Sequence, residues 1–250
     1  MTKIRKIIGI IPSRYASSRF PGKPLADIKG VSMVMRVYEK VLASECDEVI
    51  VATDDKGIYE HVKLAGGNVM MTRVDHISGT DRCAELAIKY NENDIIINIQ
   101  GDEPFLDPAQ INELIAMMLE NEHIEIGTQC RKLKDVDAIV DANVVKLVKD
   151  INNRCLYFSR SAIPYVRGET KENWTKKMDF YQHIGLYAFK QSTLLSLTKL
   201  GPGKLEVTES LEQLRWLEAG YSIYACETEH HSIGIDTPED LVKAIKYYRL

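Results

Sequence analysis

A chain of 250 residues with 45% apolar content can bury one substantial core and sits at the upper end for a single domain. Its formal charge of −4, from 32 basic and 36 acidic residues, contains no long block of one sign, so the surface as a whole gives no reason to expect nucleic acid as a partner. No apolar stretch approaches the ~20 residues needed to cross a bilayer, and the five scattered cysteines (Cys46, Cys83, Cys130, Cys155, Cys226), free of any CxxC spacing, read as reduced thiols of a cytoplasmic protein.

The chain opens MTKIRKIIGIIP. Charge precedes a short apolar run, but that run meets Pro12 and a basic loop without a small-residue cleavage pattern, so it reads as a first strand. Ile- and Val-rich runs at 6–11, 48–53, 94–99 and 144–148 read as strands of a sheet covered on both faces. Between and beyond them, helical spacing covers 32–44, 56–65, 81–89 and 108–120, the last with a proline in its first turn. Strand alternating with helix predicts a mainly parallel, three-layer α/β sheet. After about Ile151 the rhythm changes. Residues 156–159 and 183–189 look like strands around a polar stretch at 167–179, expected to be a lid or subunit contact. Helical spacing returns at 206–219 and 238–248, with Asp236 and Thr237 placed to cap the final helix.

The segment IIPSRYASSRFPGKPL follows the first strand and places Arg14, Arg19 and Lys23 in one turn-rich loop. Ligands of open α/β sheets collect beyond the carboxyl ends of the strands, and clustered cations with free backbone N–H groups suit a polyphosphate. A solvated surface loop is the plain alternative, against which stands the rigidity of Pro-Gly-Lys-Pro beside three cations. The loop is not a Walker motif, which needs glycine at Ser17 and Ser or Thr at Pro24, and no G-x-G-x-x-G is present.

The run IIINIQGDEP at 95–104 is a buried strand ending in an acidic turn, where a carboxylate points into the expected cleft. Taken alone an Asp-Glu-Pro turn is ordinarily structural, a reading that its place after such a strand reverses for Asp102, and Glu103 can serve the turn. GIDTPEDL supplies Asp236, whose local alternative is a helix cap. In TRVDHISGTDR at 72–82, donors and a glycine suit close backbone approach to a flat base, while Ser78 to Asp81 equally reads as a helix start. Glu209, Glu212, Gln213 and Trp216 fall on one helical stripe opposite Leu211, Leu214 and Leu217. A solvated polar face is the ordinary explanation of such a stripe. His183 and Tyr187 in HIGLY project from one side of a strand, a pair as ordinary in a core. The adjacent His230 and His231 lack partners at metal-ligand spacing.

Taken in order from residue 7 to about 245, these motifs resemble the sugar-nucleotide cytidylyltransferases. The resemblance is closest to the 3-deoxy-manno-octulosonate (Kdo) cytidylyltransferases and weaker to the CMP-sialic acid synthetases. It implies a nucleotide-diphospho-sugar transferase-like fold in a single domain over 1–250. A nucleotide-binding half would cover about 1–150, a smaller sugar-binding and dimerisation lobe 151–230, and a metal-site loop and helix 231–250. It further implies that Arg14, Arg19 and Lys23 hold the triphosphate of CTP and that Arg73, Ser78, Gly79 and Gln100 lie around the cytidine. Asp102 and Asp236 would bind Mg2+, which with the α-phosphate forms a sensible octahedral set. His183, Tyr187, Glu212 and Gln213 would contact the sugar, and Arg160 in YFSR its carboxylate. Phe20 stands where leucine is usual, which alters packing and leaves charge intact. The implied reaction is attack of the sugar's anomeric hydroxyl on the α-phosphorus of CTP, in a cytoplasmic homodimer serving lipopolysaccharide synthesis. Spacing does not separate Kdo from 8-amino-Kdo or sialic acid, no side chain stands out as general base, and a nucleotide-sugar binding module is the non-enzymatic alternative.

Overall fold

The computed structural model describes residues 5–16, 19–230 and 232–248; the opening MTKI, the Walker test position Ser17 and His231 lie outside them. In chain order the elements are β1 (Ile7–Ser13), a hairpin of β2 (Asp27–Ile28) and β3 (Val31–Ser32), α1 (Met33–Leu42), β4 (Glu48–Thr53), α2 (Lys56–Leu64), β5 (Val69–Met71), α3 (Gly79–Ala87), β6 (Ile95–Asn98) and α4 (Pro108–Glu120). The second half adds β7 (Ile126–Leu133), α5 (Val136–Val140), β8 (Lys146–Lys149), β9 (Cys155–Ser159), α6 (Trp174–Lys177) and β10 (Phe180–Lys190). It ends with α7 (Gln191–Leu197), α8 (Lys204–Glu209), α9 (Gln213–Glu218), β11 (Tyr224–Glu227) and α10 (Pro238–Tyr247).

The main sheet has the order β11-β7-β10-β6-β1-β4-β5. Both neighbours of β1 run parallel to it, Ile8 lying opposite Glu48 on one side and Ile96 on the other. A strand hydrogen-bonded on both edges and packed on both faces must be apolar at every position. Ile8, Ile10, Ile50 and Ile96 accordingly join one core with α3, α7 and α9, while Ile7, Ile11, Val51 and Ile97 join another with α1, α2 and α4. The period of two along IIGII thus makes the three layers. Gly9 faces α1, where a Cβ would stand 2.7 Å from Val41 Cγ1 and 3.2 Å from Cys46 Sγ. Replacing it by valine is expected to cost about 1–3 kcal/mol through overpacking, measured by urea unfolding; a change below ~0.5 kcal/mol would mean that α1 backs away freely.

The sheet is mainly parallel as expected, with β10 antiparallel to both β6 and β7. The run at 144–148 is a correction: β8 pairs antiparallel with β9 and β10 outside the parallel centre. Strands β5, β7 and β11 were not anticipated. In β7 the buried Thr128 and Gln129 interrupt the apolar pattern. The polar stretch at 167–179 contains a short 3-10 turn, Lys171–Asn173, and α6, pinned by Trp174 stacking on Phe180 at 5.8 Å.

The helix expected over 206–219 is two helices. Ser210 adopts φ 52°, ends α8 in the left-handed region and starts a turn into α9. The turn rotates the second helix, so the expected polar stripe does not form. Trp216 is 1% exposed and packs edge-on against Tyr187 and Phe189, and Gln213 is buried as well.

Candidate active site

Strands β1 and β6 end side by side, and the chain leaves β1 toward β4 but returns through β6 on the other side, which opens a crevice at their carboxyl ends. Ile99 N–H still donates to Ile10 O at 3.0 Å, after which Gly101 crosses β1 so closely that a Cβ would stand 3.0 Å from Pro12 O and 3.1 Å from Ser13 Oγ. The loops beyond these strands enclose a cleft of about 340 Å3. Of the residues expected from the sequence, Arg14, Arg19, Lys23, Gly79, Gln100, Asp102 and Asp236 line it. Ser13 also lines it, with a buried hydroxyl that has no partner among the described residues. The only signal for Ser13 in the sequence is its place at the end of the first strand.

The first loop closes on itself. Gly22 N–H donates to Tyr15 O at 3.0 Å, and Gly22 takes φ 70°, which only glycine adopts freely, to start the 3-10 turn Lys23–Leu25. Lys23 is thereby aimed at two carboxylates from opposite ends of the chain. Its Nζ donates to Asp102 Oδ2 at 2.7 Å, to Ile235 O at 2.9 Å and to Asp236 Oδ1 at 3.4 Å. Arg19 meets the other oxygen of Asp236 at 3.1 Å. The cap of α10 is Thr237 in a reciprocal box with Asp240, so Asp236 is not spent on the helix. Glu103 accepts from Ser232 Oγ at 2.7 Å, and burial pushes its carboxyl up to about 7. It ties the acidic turn to the C-terminal segment.

The acid pair fits a hard divalent cation. Both donors are carboxylate oxygens, and they already converge on one positive charge, the Lys23 ammonium. Among the described residues no group of three or more His, Cys, Asp or Glu is arranged to hold a metal. Phosphate oxygens and water would have to complete the coordination, as magnesium prefers. His230 lies instead beside Asp107, Nδ1 to Oδ2 at 3.2 Å.

Of the four residues expected around a cytidine, Gly79 and Gln100 line the cleft. Ser78 caps α3 in a reciprocal box with Asp81. Gln100 Nε2 donates at 3.2 Å to Gly185 O, inside the bulge where β10 slips against β7. Arg73 is not in the cleft. Its exposed guanidinium is paired with Asp75 and lines a separate groove with Leu195 and Lys199. The buried partner in that motif is Arg82, which donates to Asp54 at 2.8 Å and fastens α3 to the end of β4.

None of the expected sugar residues is among those lining this cleft; they lie on β10, just after β9 and around the α8–α9 turn. His183 and Tyr187 do share one side of β10, their rings 5.4 Å apart, with Phe158 edge-on to His183 at 5.0 Å. Glu212 accepts from Thr80 Oγ1 at 2.9 Å, and burial raises its carboxyl above the usual range. This bridge joins the first turn of α3 to the start of α9, and nothing in the sequence pairs the two positions. Gln213 Nε2 is buried without a partner among the described residues. Arg160 donates to the carbonyls of Glu209, Ala142 and Ser210, bracing the break between α8 and α9 and leaving two of its five N–H groups for another acceptor.

Desolvation among those rings pushes His183 down to about 3. Its Nε2 lies 3.0 Å from Thr128 Oγ1, which is also within 3.1 Å of the carbonyls of Ile184 and Leu186. In the unfolded chain the ring protonates near its ordinary value of 6.5, so the folded state binds fewer protons between that value and about 3. The contribution to stability is whole above pH ~6.5 and is lost as pH falls through that window. His183→Gln is expected to flatten the acid limb of a plot of unfolding free energy against pH; an unchanged slope would contradict it.

A nucleotide-diphospho-sugar transferase-like sheet, with loop cations and paired carboxylates at the carboxyl ends of its parallel strands, has the build of a nucleotidyltransferase. Comparison with known proteins narrows this. A family model described as cytidylyltransferase matches residues 8–227. The 3-deoxy-manno-octulosonate cytidylyltransferase of Parabacteroides distasonis is 49% identical over 97% of this chain and 98% of its own length, and that of Cytophaga hutchinsonii 46% identical over 95% of each. A solved structure of CMP:2-keto-3-deoxy-manno-octonic acid synthetase complexed with CTP superposes with a TM-score of 0.90 at 38% identity, covering 98% of this chain and all of that one. The chain belongs to the cytidylyltransferase family, among its 3-deoxy-manno-octulosonate members. No helix among the described residues is long and apolar enough to cross a membrane.

Proposed function

We propose that this chain transfers CMP from CTP to 3-deoxy-D-manno-octulosonate, releasing pyrophosphate. The carrying observation is the convergence of Asp102, Asp236 and Lys23 on one point of a cleft that Arg14 and Arg19 also line. The names of the close relatives support the sugar, and the parallel pairing of β1 and β6 supports a ligand site at their carboxyl ends.

Arg14, Arg19 and Lys23 neutralise the triphosphate and the departing pyrophosphate, the largest electrostatic demand of phosphoryl transfer. Gly79 and Gln100 flank the cytidine with Ser78 beside them at the start of α3, while Arg73 stays paired with Asp75 in a separate groove. His183, Tyr187, Glu212 and Gln213 hold the sugar hydroxyls, and Arg160 offers its remaining N–H groups to the sugar carboxylate. These residues bring the anomeric hydroxyl in line with the α-phosphorus, and positioning of this kind supplies much of the rate. Asp102 and Asp236 hold Mg2+, which supplies Lewis-acid charge at the α-phosphate when bound. No side chain is assigned as general base. A single domain over 1–250, acting as a cytoplasmic homodimer that feeds lipopolysaccharide synthesis, completes the reading.

The test is pyrophosphate release with each of the four nucleoside triphosphates against Kdo, its 8-amino analogue and sialic acid, with magnesium and with EDTA. Metal-dependent release with CTP and Kdo is expected. Release only with another sugar would reassign the acceptor, and release with no pair would reduce the protein to a nucleotide-sugar binding module.

A further inference from the structure

We propose that Lys23 is a built-in counter-ion that keeps divalent metal off the Asp102–Asp236 pair until a nucleotide polyphosphate draws the ammonium away. The inference rests on the metal role proposed for that pair. An ammonium has three protons, and here Asp102 Oδ2, Ile235 O and Asp236 Oδ1 take all three. The Lys23 side chain is only 14% exposed. It therefore cannot serve a phosphate without giving up these acceptors.

A divalent cation seated about 2.1 Å from an Asp102 oxygen would share that carboxylate with an ammonium 2.7 Å away from it. Like charges at such separation exclude one another in a partly dry site. Arg19 does not impose the same exclusion, since it reaches only Asp236 and its side chain is 65% exposed. The seat itself does not depend on Lys23. Ile235 N–H donates to Asp102 O at 2.9 Å, so backbone alone keeps the two aspartates together when the lysine leaves. Arg14 and Arg19 line the same cleft and offer an incoming polyphosphate its first contacts. Metal and nucleotide then enter as one unit, and metal alone binds weakly.

The experiment titrates Mn2+ alone, followed by electron paramagnetic resonance, into the nucleotide-free full chain. Lys23→Met is expected to tighten Mn2+ binding about 10-fold or more, the scale of one unit-charge repulsion near a protein surface. Lys23→Gln, which keeps a donor for Asp102 but no charge, is expected to do the same and serves if the methionine variant does not fold. Equal or weaker binding by the neutral variants would overturn the proposal. Adding Asp102→Asn to the neutral variant is expected to abolish the gain; Mn2+ binding that survives this change would instead overturn the metal role of the acid pair.

Discussion

Asparagine in place of Asp102 or Asp236 is expected to reduce CMP transfer by about 100- to 1,000-fold at saturating magnesium and CTP, the scale seen when a transition-state charge stabiliser is removed. The exchange keeps size, shape and one hydrogen-bond acceptor, so contact with Lys23 Nζ, now 2.7 Å from Asp102 and 3.4 Å from Asp236, can persist. What is lost is half of the negative charge at a point where no other His, Cys, Asp or Glu among the described residues completes a metal site. The fold should not suffer, because two carboxylates sharing one ammonium lose mutual repulsion when one is neutralised. Turnover within about 10-fold of the parent, with magnesium dependence intact, would remove the pair from the mechanism.

A second large effect is expected far from any phosphate. Lys146 is fully buried in β8, and its Nζ donates to the carbonyls of Asp141 at 2.7 Å, Val144 at 2.5 Å and Arg160 at 2.5 Å. Among the described residues no carboxylate faces it at salt-bridge distance; three backbone dipoles compensate the charge. Lys146→Met fills the space of the stem and takes the ammonium from the carbonyls of Val144 and Arg160, while that of Asp141 keeps the Val144 N–H at 3.2 Å. At about 1–3 kcal/mol for each of two carbonyls that lose this donor, partly offset by not burying a charge, the net loss should be ~2–4 kcal/mol. Urea unfolding reads it directly. Because the Arg160 carbonyl is one of the three, any variant that still folds should raise KM for the sugar more than KM for CTP. A loss below ~1 kcal/mol would mean that water replaces the ammonium.

The parts legible in the sequence are those where one local rule dominates. The runs 48–53 and 108–120 became β4 and α4 without adjustment, since a continuous apolar run buried on both faces and a helix opened by Asp107 and Pro108 leave little room for alternatives. Of the seven expected residues that line the cleft, Arg14, Arg19, Lys23 and Asp102 were legible because they sit in the loops that follow β1 and β6, where ligands of such sheets collect, whereas Gly79, Gln100 and Asp236 rest on the family resemblance. Failures arise where tertiary packing overrides pattern. The single helix over 206–219 was broken by Ser210 in a left-handed conformation that a serine does not advertise, and with it Trp216 moved from an expected surface into the core. Arg73 was assigned by motif, yet Asp75 two residues away captures its guanidinium. The Thr80–Glu212 bridge spans 132 positions, and no periodicity in either helix encodes it.

The second metal-site carboxylate proposed here comes from residue 236 of 250, beyond the 8–227 stretch that the family pattern covers. It is held by an apolar cluster of Ile28, Met33, Ile235 and Ala244 and by Tyr248 stacking on Phe105 at 4.1 Å. A chain still emerging from the ribosome therefore carries every cation of the loop and only half of the acid pair. On the proposed metal role, a chain cut before Asp236 is expected to keep the loop cations and to lose transfer.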